Sequence, residues 1–236
     1  MVIFMSENNY TILSVGGSII IPKTGFDVEF LKKFRDLILE QVRLGKKFIL
    51  VIGGGATARS YQETLKGCGV TQNEELDWMG IDATAINANF MRRLFGEAAY
   101  EKTVVKPTRM VKTDKPIIIA AGYKPGWSTD TDAVLWAKAY GAKEIFNLSN
   151  VDYVYDSDPN VNPSAQKFEN LTWKRFRKIV GSKWVPGANV PFDPIAAKKA
   201  AKLGLKVGFV KGTSLPEVKL AITGQKFNGT VIDIDK

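Results

Sequence analysis

Residues 47–55 read Lys-Phe-Ile-Leu-Val-Ile-Gly-Gly-Gly, so the apolar residues 48–52 run directly into three glycines. An uninterrupted apolar run of this length predicts a strand of a parallel sheet, which is covered on both faces. Residues 10–18, Tyr-Thr-Ile-Leu-Ser-Val-Gly-Gly-Ser, repeat the arrangement, since a β-prone run again ends in a glycine turn. The two segments predict a sheet whose carboxyl edge carries glycine loops.

Strand-like and helix-like segments alternate along the rest of the chain. Predicted strands cover residues 10–15, 47–52, 117–121, 143–148 and 206–210, with a final edge strand at 229–232. Predicted helices begin after Asp27, cover 56–66 and 80–100, follow the loop 122–132, and cover 172–181, 195–203 and 215–222. Asp193-Pro194 is typical of an N-cap with proline in the first turn and predicts the start of the helix at 195–203. The polar stretch between about 149 and 166 is predicted to be hairpin and loop.

This alternation is typical of an α/β protein. We expect a three-layer α/β/α sandwich with a mostly parallel central sheet and with ligands at the carboxyl ends of its strands. No linker or internal repeat interrupts the pattern, so residues 1–236 are expected to form a single domain.

The residue types that are missing restrict the chemistry. The chain has a single cysteine, Cys68, which excludes an intramolecular disulfide and a cysteine-built zinc site. It has no histidine, and this removes the usual general base near neutral pH, the serine triad and histidine-ligated metals. Any reaction must therefore use Lys, Arg, Asp and backbone amides.

The formal net charge of +9 suits either a nucleic-acid-binding surface or a field that attracts small phosphorylated molecules. The basic residues are scattered and no nucleic-acid motif is present, which favours small anions over nucleic acid. The apolar segment Met1–Met5 is too short for a signal peptide or a membrane span. We expect a soluble, cytoplasmic protein that does not contact a membrane.

Three glycine-rich turns each separate a predicted strand from a helix. They are residues 16–18, 53–55 and the loop 122–130, Gly-Tyr-Lys-Pro-Gly-Trp-Ser-Thr-Asp. Amides at a helix start bind phosphate, and glycine allows its close approach. Each turn alone is also explained as a simple turn, but together they indicate phosphate binding. Arg59 lies one helical turn beyond Gly55, where it is either a phosphate ligand or a surface residue.

Neither the P-loop signature nor the dinucleotide-binding signature accounts for these turns. The same turns, in the same order and together with two further motifs, are found in a known superfamily of proteins. The set is Gly-Gly-Ser at 16–18, Ile-Gly-Gly-Gly-x-x-Ala-Arg at 52–59, Thr-Asp at 131–132 and Ser-Asn-Val-Asp-x-Val-Tyr-x-x-Asp-Pro at 149–159. From about Tyr10 to Ile232 the chain resembles the amino acid kinase superfamily and, within it, the archaeal-type UMP kinases.

The resemblance implies a fold, a reaction and partners. The fold is the amino acid kinase fold, and the reaction is transfer of the γ-phosphoryl group of ATP to UMP with Mg²⁺ present. The acceptor is already an anion, so no general base is required. Nucleotides are the implied small-molecule partners, and a homo-oligomer, commonly a hexamer, is implied as well.

The resemblance also implies residue roles on the ATP side. The first glycine turn corresponds to the region over the ATP phosphates, and the motif at 149–159 to the base and ribose. Packing alone is the alternative for Tyr155. The implied ATP-binding residues are Gly16, Gly17, Ser18, Gly55, Arg59, Ser149, Asn150, Tyr155 and Asp158.

On the acceptor side the resemblance implies that loop 123–131 binds UMP. Asp77 matches an aspartate that accepts hydrogen bonds from the UMP ribose, although a charge at a helix start explains it too. Arg59 and Asp132 are the implied catalytic residues, and no metal ligand is assigned. The implied UMP-binding residues are Gly54, Asp77, Tyr123, Lys124, Pro125, Gly126, Trp127, Ser128, Thr129 and Thr131.

The chain departs from the pattern of the superfamily at three positions. Ser14 stands where many members carry a lysine that neutralises the transferring phosphoryl group, and Ala56 stands where some archaeal-type members have another lysine. Asp130 replaces a usual threonine, so Asp130 and Asp132 are candidates for contacts to Mg²⁺, water or ribose, or for helix capping. Some cation must serve, and the candidates are Arg59, Mg²⁺, Lys124 and Lys211.

Two alternative functions remain open. The first is a kinase of the same superfamily with another acceptor, although the missing histidine disfavours isopentenyl phosphate and Ser14 disfavours carboxylates. The second is a non-catalytic nucleotide- or oxyanion-binding protein that resembles the molybdenum storage proteins. The missing lysines and Asp130 are compatible with it.

Overall fold

A seven-stranded sheet forms the centre of the protein. The structure is a computed structural model that describes residues 10–159, 161–183 and 191–234, so the segment Met1–Met5 lies outside the described residues. The described strands are β1 Tyr10–Val15, β2 Lys47–Ile52, β3 Ile117–Ala120, β4 Glu144–Ser149, β5 Val154–Tyr155, β6 Lys167–Phe168, β7 Asn170–Thr172, β8 Lys206–Lys211 and β9 Gly229–Asp233. Of these, β5 and β6 form a separate two-stranded sheet.

The order of strands in the seven-stranded sheet is β3-β2-β1-β4-β8-β9-β7, and among the described pairs of this sheet only β8–β9 is antiparallel. Tyr10 pairs with Lys47 and Val15 with Ile52, so β1 and β2 are in register along their whole length. Because β3, β2, β1, β4 and β8 are parallel, their carboxyl ends meet at one edge. The glycine turns after β1 and β2 therefore become neighbours.

Helices cover both faces of the sheet. They are α1 Gly17–Ile20, α2 Val28–Arg43, α3 Gly55–Gly67, α4 Asn73–Phe95, α5 Thr129–Tyr140, α6 Trp173–Val180, α7 Pro194–Leu203 and α8 Leu215–Ile222, with a 3₁₀ turn at Gly96–Ala98. Successive residues of β1 enter different cores: Ile12 lies in one cluster with Trp136 of α5, and Leu13 in a second with Phe34 of α2. The prediction of a three-layer α/β/α sandwich is confirmed.

Side-chain caps explain where several helices begin. Asp27 accepts a hydrogen bond from the Phe30 amide at 2.9 Å and starts α2. Asp193 accepts from the amides of Ile195 and Ala196 at 2.7 and 2.8 Å and starts α7, with Pro194 in its first turn. These two starts agree with the sequence prediction.

Two predicted helix starts and the predicted position of one strand differ from the structure. α4 begins at Asn73 instead of residue 80, because Glu74 and Glu75 occupy its first turn, where acids are favourable. α5 begins at Thr129, inside the predicted loop 122–132, because Ser128 caps it by accepting from the Asp130 amide. The strand β9 was expected at an edge but lies between β8 and β7, and the short β7 is the edge strand.

The polar stretch after β4 contains the predicted hairpin. β5 and β6 pair antiparallel, with Val154 opposite Phe168 and Tyr155 opposite Lys167. In the described ranges, no helix is long and apolar enough to cross a membrane.

Candidate active site

A cleft of about 540 Å³ opens at the carboxyl ends of β1 to β4, which is the expected position for a ligand site in a parallel sheet. The predicted residues that line it come from the three glycine-rich segments, from helices α3, α4 and α5, and from the end of β4 with the residue after it. They are Gly16, Gly17, Ser18, Gly54, Gly55, Arg59, Asp77, Tyr123, Lys124, Trp127, Ser128, Thr129, Asp132, Ser149 and Asn150.

The first two glycine turns touch each other through their backbones. A Cβ atom on Gly17 would lie 2.0 Å from the amide nitrogen of Gly55, and one on Gly53 would lie 2.6 Å from the amide nitrogen of Gly17. Gly55 also has a φ of +62°, a conformation that favours glycine. The glycines are therefore required by packing, whether or not a phosphate approaches them.

Two buried polar side chains of α4 hold the second and third glycine-rich segments. The Asn87 side-chain amide donates to the carbonyls of Gly53 at 2.9 Å and Gly54 at 3.0 Å. The Thr84 hydroxyl accepts from the Gly122 amide at 2.8 Å and donates to the Ile81 carbonyl at 2.6 Å. The backbone around the cleft is thus fixed from one helix behind it.

Asp130 lies at the floor of the cleft beside β1 and β4. Its Oδ1 accepts from the Ser14 hydroxyl at 2.8 Å and from the Asn147 side-chain amide at 2.9 Å. Burial, followed by the neighbouring Asp193 carboxylate, raises the pKa of Asp130 to about 7, although the hydrogen bonds from its neighbours oppose the shift. Near neutral pH this carboxyl group is partly protonated.

Asp132 is buried two residues further along α5. It accepts from the Tyr123 amide at 3.2 Å and from the Trp127 indole at 3.0 Å, so it holds the loop before α5 against the helix. Burial raises the pKa of Asp132 to about 7, and the hydrogen bond from Trp127 acts in the opposite direction. The sequence did not indicate that Asp132 would be buried and Asp130 half-buried.

Asp193 connects α7 to the start of α5. Besides capping α7, it accepts from the hydroxyls of Ser128 at 2.5 Å and Thr131 at 3.0 Å. Its side chain is almost fully buried. The cap that the sequence predicts therefore also positions the helix turn that carries Asp130 and Asp132.

The loop between β3 and α5 has a second anchor and an aromatic surface. Asp77 of α4 accepts from the Gly126 amide at 2.8 Å. The amino group of Lys124 lies 4.5 Å from the centre of the Trp127 ring, and that of Lys199 lies 5.6 Å from it. Both distances are typical of cation–π contacts.

Five predicted residues are not among those that line the cleft: Pro125, Gly126, Thr131, Tyr155 and Asp158. Gly126 and Thr131 support it through the bonds to Asp77 and Asp193 described above. The Tyr155 hydroxyl donates to Asp152 at 2.9 Å. The carbonyl of Asp158 accepts from the amides of Val161 and Asn162.

Other lining residues were not predicted as site residues. They include Lys23, Gln62, Gly80, Ile81, Thr84, Asn147, Pro191 and Asp193. The Asp193-Pro194 pair was visible in the sequence as a helix cap, but nothing local indicated that it would face the cleft. Lys23 lies in no motif, and only the path of the chain after α1 brings it there.

The cations around the cleft differ from the predicted set. Of the basic residues that the structure describes, Lys23, Arg59 and Lys124 line the cleft, whereas Lys211 at the end of β8 does not. Backbone amides at the starts of α1 and α3, together with these cations, can bind a polyanion such as a phosphate chain.

The comparisons with known proteins agree with this geometry. The sequence profile of the amino acid kinase family matches residues 9–210. A uridylate kinase of Methanocaldococcus jannaschii is 31% identical over 225 residues, which cover 94% of this chain and 98% of that protein. One of Pyrococcus abyssi is 32% identical, with 94% and 98% covered.

Solved structures give the same result for the fold. The crystal structure of a uridylate kinase from Archaeoglobus fulgidus superposes with a TM-score of 0.80 at 30% identity, covering 94% of this chain and 99% of that one. A UMP kinase structure from Bacillus anthracis has a TM-score of 0.77 at 22% identity, covering 97% of each chain, and supports the fold alone.

Proposed function

This chain belongs to the amino acid kinase family, and from that premise we propose that it is a nucleoside-monophosphate kinase that phosphorylates UMP. The donor is ATP, and the products are UDP and ADP. The observation that carries the proposal is the cleft at the carboxyl edge of the sheet, where two helix starts and three cations surround a volume suited to nucleotides. The relatives named uridylate kinase support the same acceptor.

The transfer is an in-line displacement at the γ-phosphorus of ATP. A phosphate oxygen of UMP forms the new P–O bond, and the bond from the γ-phosphorus to the β,γ-bridging oxygen breaks. The electron pair of that bond leaves with ADP, and the anionic acceptor has no proton to give up. A chain without histidine can therefore perform the reaction, and its own contribution is positioning and charge.

In this proposal Mg²⁺ enters the site bound to the phosphates of ATP. In the part of the chain that the structure describes, no group of three or more Asp, Glu, Cys or His side chains is arranged to hold a metal ion. We therefore assign Mg²⁺ to the ATP phosphates and derive no step from a protein-bound metal.

The test is an acceptor panel with the purified protein, ATP and Mg²⁺. UMP, CMP, AMP, GMP, isopentenyl phosphate, acetylglutamate and aspartate are offered separately, and ADP and the phosphorylated products are quantified. We expect UDP to form much faster than any other product. Arg59→Ala should lower this rate, whereas Arg43→Ala, which changes an exposed arginine at the end of α2 outside the cleft, should leave it unchanged.

Two results would overturn the proposal. Faster turnover of another acceptor would keep the kinase and change its substrate. Binding of ATP without turnover of any acceptor would favour the binding or storage function instead. We further propose a cytoplasmic homo-oligomer, a hexamer by resemblance, and light scattering coupled to size-exclusion chromatography would measure its mass.

A further inference from the structure

The position that holds a lysine in many amino acid kinases is filled differently in this chain. Ser14 donates to Asp130 at 2.8 Å, and Asn147 donates to the same carboxyl oxygen at 2.9 Å. These side chains are neutral, or in the case of Asp130 neutral or negative, but never positive. The floor of the cleft at the end of β1 therefore cannot offset the charge of a transferring phosphoryl group.

We propose that Lys23 supplies the missing positive charge by contacting the phosphates of ATP during transfer. The inference rests on the proposed function and names the residue that takes over the role of the absent first-strand lysine. Lys23 lines the same cleft as the glycine turns and is exposed to solvent, so a ligand can reach it.

The backbone holds Lys23 on the phosphate side of the cleft. It follows α1, whose first residues are Gly17 and Ser18, and the Ile21 carbonyl accepts from the Ala56 amide at 3.2 Å in the first turn of α3. A turn closed by the bond from the Gly25 amide to the Pro22 carbonyl, at 3.0 Å, contains Lys23. The segment that carries Lys23 is thus tied to the starts of α1 and α3.

The other cations fit this role less well. Lys124 lies over the Trp127 ring, in the loop that leads to α5. Lys211 is not among the residues that line the cleft. Arg59 is half-buried on α3 and remains available, but no lysine accompanies it there, since Ala56 follows the glycines. Within the described residues, neither Arg59 nor Lys23 forms an ion pair with an acidic side chain.

A lysine at this position fits the chemistry of the step. Phosphoryl transfer is accelerated by positive charge that is close to the phosphate oxygens in the transition state. An ammonium group on a flexible four-carbon chain can move with the γ-phosphoryl group as it passes from ADP to UMP. Because Lys23 has no competing carboxylate partner among the described residues, its charge is free for the nucleotide.

The experiment compares four proteins: the natural chain, Lys23→Ala, Lys23→Arg, and Lys102→Ala as a control at an exposed lysine outside the cleft. UDP formation from ATP and UMP gives kcat and the KM for each substrate. We expect Lys23→Ala to lower kcat about tenfold to a hundredfold, with a smaller change in the KM for UMP. Lys23→Arg should restore most of the rate, and Lys102→Ala should match the natural chain.

The outcomes separate this inference from the function on which it rests. If the natural chain makes UDP and Lys23→Ala retains its kcat, Lys23 has no part in transfer and the inference fails, while the kinase proposal stands. If the rate falls but arginine does not restore it, the positive charge is not the cause and the inference also fails.

If the natural chain makes no UDP, the proposed function fails first. ATP affinity then tests Lys23 directly by isothermal titration of the same four proteins. Weaker ATP binding by Lys23→Ala, restored by arginine and less marked at high salt, supports the phosphate contact. Equal affinity overturns it.

Discussion

Two parts of the cleft are built in different ways. The glycine wall, residues 16–18 and 53–55, consists of backbone segments so close together that a Cβ on Gly17 would lie 2.0 Å from the Gly55 amide nitrogen. The acid wall, residues 122–132 with Asp193, consists of a loop and a helix start that enclose three carboxyl groups. The first is specified by the absence of side chains, and the second by polar side chains that bond to one another.

Because of this difference, the glycine wall is sensitive to added side-chain volume, whereas the acid wall is sensitive to pH. The geometry of the glycine wall depends on volume, which pH does not change. The acid wall contains Asp130 and Asp132, whose pKa values burial raises to about 7. Its contribution to the free energy of unfolding therefore depends on the protonation of these two carboxyl groups. We infer that substitutions in the glycine wall act through steric overlap, and that substitutions in the acid wall act through hydrogen bonding and charge.

The largest effect is expected from Gly17→Ala. The added methyl group has no space beside the backbone of Gly55, and backbone atoms cannot move aside as the end of a side chain can. We expect a loss of about 3–5 kcal/mol in the free energy of unfolding, measured by urea denaturation, or no folded protein at all.

Gly67→Ala is the matched control, because a Cβ at this helical residue meets nothing within 4 Å. It should leave the free energy of unfolding unchanged or raise it slightly. Equal stability of the two variants would contradict the steric origin of the glycine wall.

The glycine wall is also the part of the site that the sequence predicts best. Apolar runs that end in glycines, such as 47–55, carry the strand, the turn and the helix start within one short segment. The parallel order of the strands then brings the turns together without further information. The fold class and these two turns could therefore be predicted from local patterns.

The acid wall was predicted less well, because its contacts join residues far apart in the sequence. The bond from Ser14 to Asp130 and the bonds from Ser128 and Thr131 to Asp193 depend on which strands and helices become neighbours. The position of β9 inside the sheet likewise depends on pairing with strands that are distant in the sequence, β7 among them. Lys23 had no local signal at all, because an isolated lysine after a helix is common.

A smaller effect is expected from Thr84→Val, which tests the hydrogen bonds that hold the acid wall. Valine keeps the shape of threonine but leaves the buried Gly122 amide without its acceptor. We expect a loss of about 2 kcal/mol in the free energy of unfolding, measured by urea denaturation. Thr84→Ser keeps the hydroxyl group and should lose clearly less, whereas an equal loss would show that the methyl group matters more than the bond.

The pH dependence of stability tests the charge of the acid wall. The folded pKa of Asp130 is raised to about 7 from the ordinary 3.8, so the folded chain holds a proton that the unfolded chain has released. Stability should therefore fall as the pH rises from about 4 to about 7. Asp130→Asn keeps an oxygen that can accept from Ser14 and Asn147, and should raise the free energy of unfolding at pH 8 by about 1 kcal/mol.

The control for this substitution is Asp82→Asn, at an exposed position of α4. It should leave both the stability and its slope against pH unchanged, as followed by thermal unfolding at several pH values. A lower stability of Asp130→Asn at pH 8 would mean that its hydrogen bonds need a full negative charge, and the acid wall would then resemble an ordinary anionic site.

The smallest effect on stability is expected at Asp77, where one exposed bond to the Gly126 amide anchors the acid wall. Asp77→Ala should change the free energy of unfolding by less than about 0.5 kcal/mol, because the bond is open to water. It should nevertheless raise the KM for UMP about threefold to tenfold with little change in kcat, since a loosened loop weakens binding in the ground state and the transition state alike. Asp77→Asn retains an acceptor for the Gly126 amide. If the asparagine variant has the KM of the alanine variant, the charge of Asp77 acts on the nucleotide directly; if it has the KM of the natural chain, loop anchoring is its role.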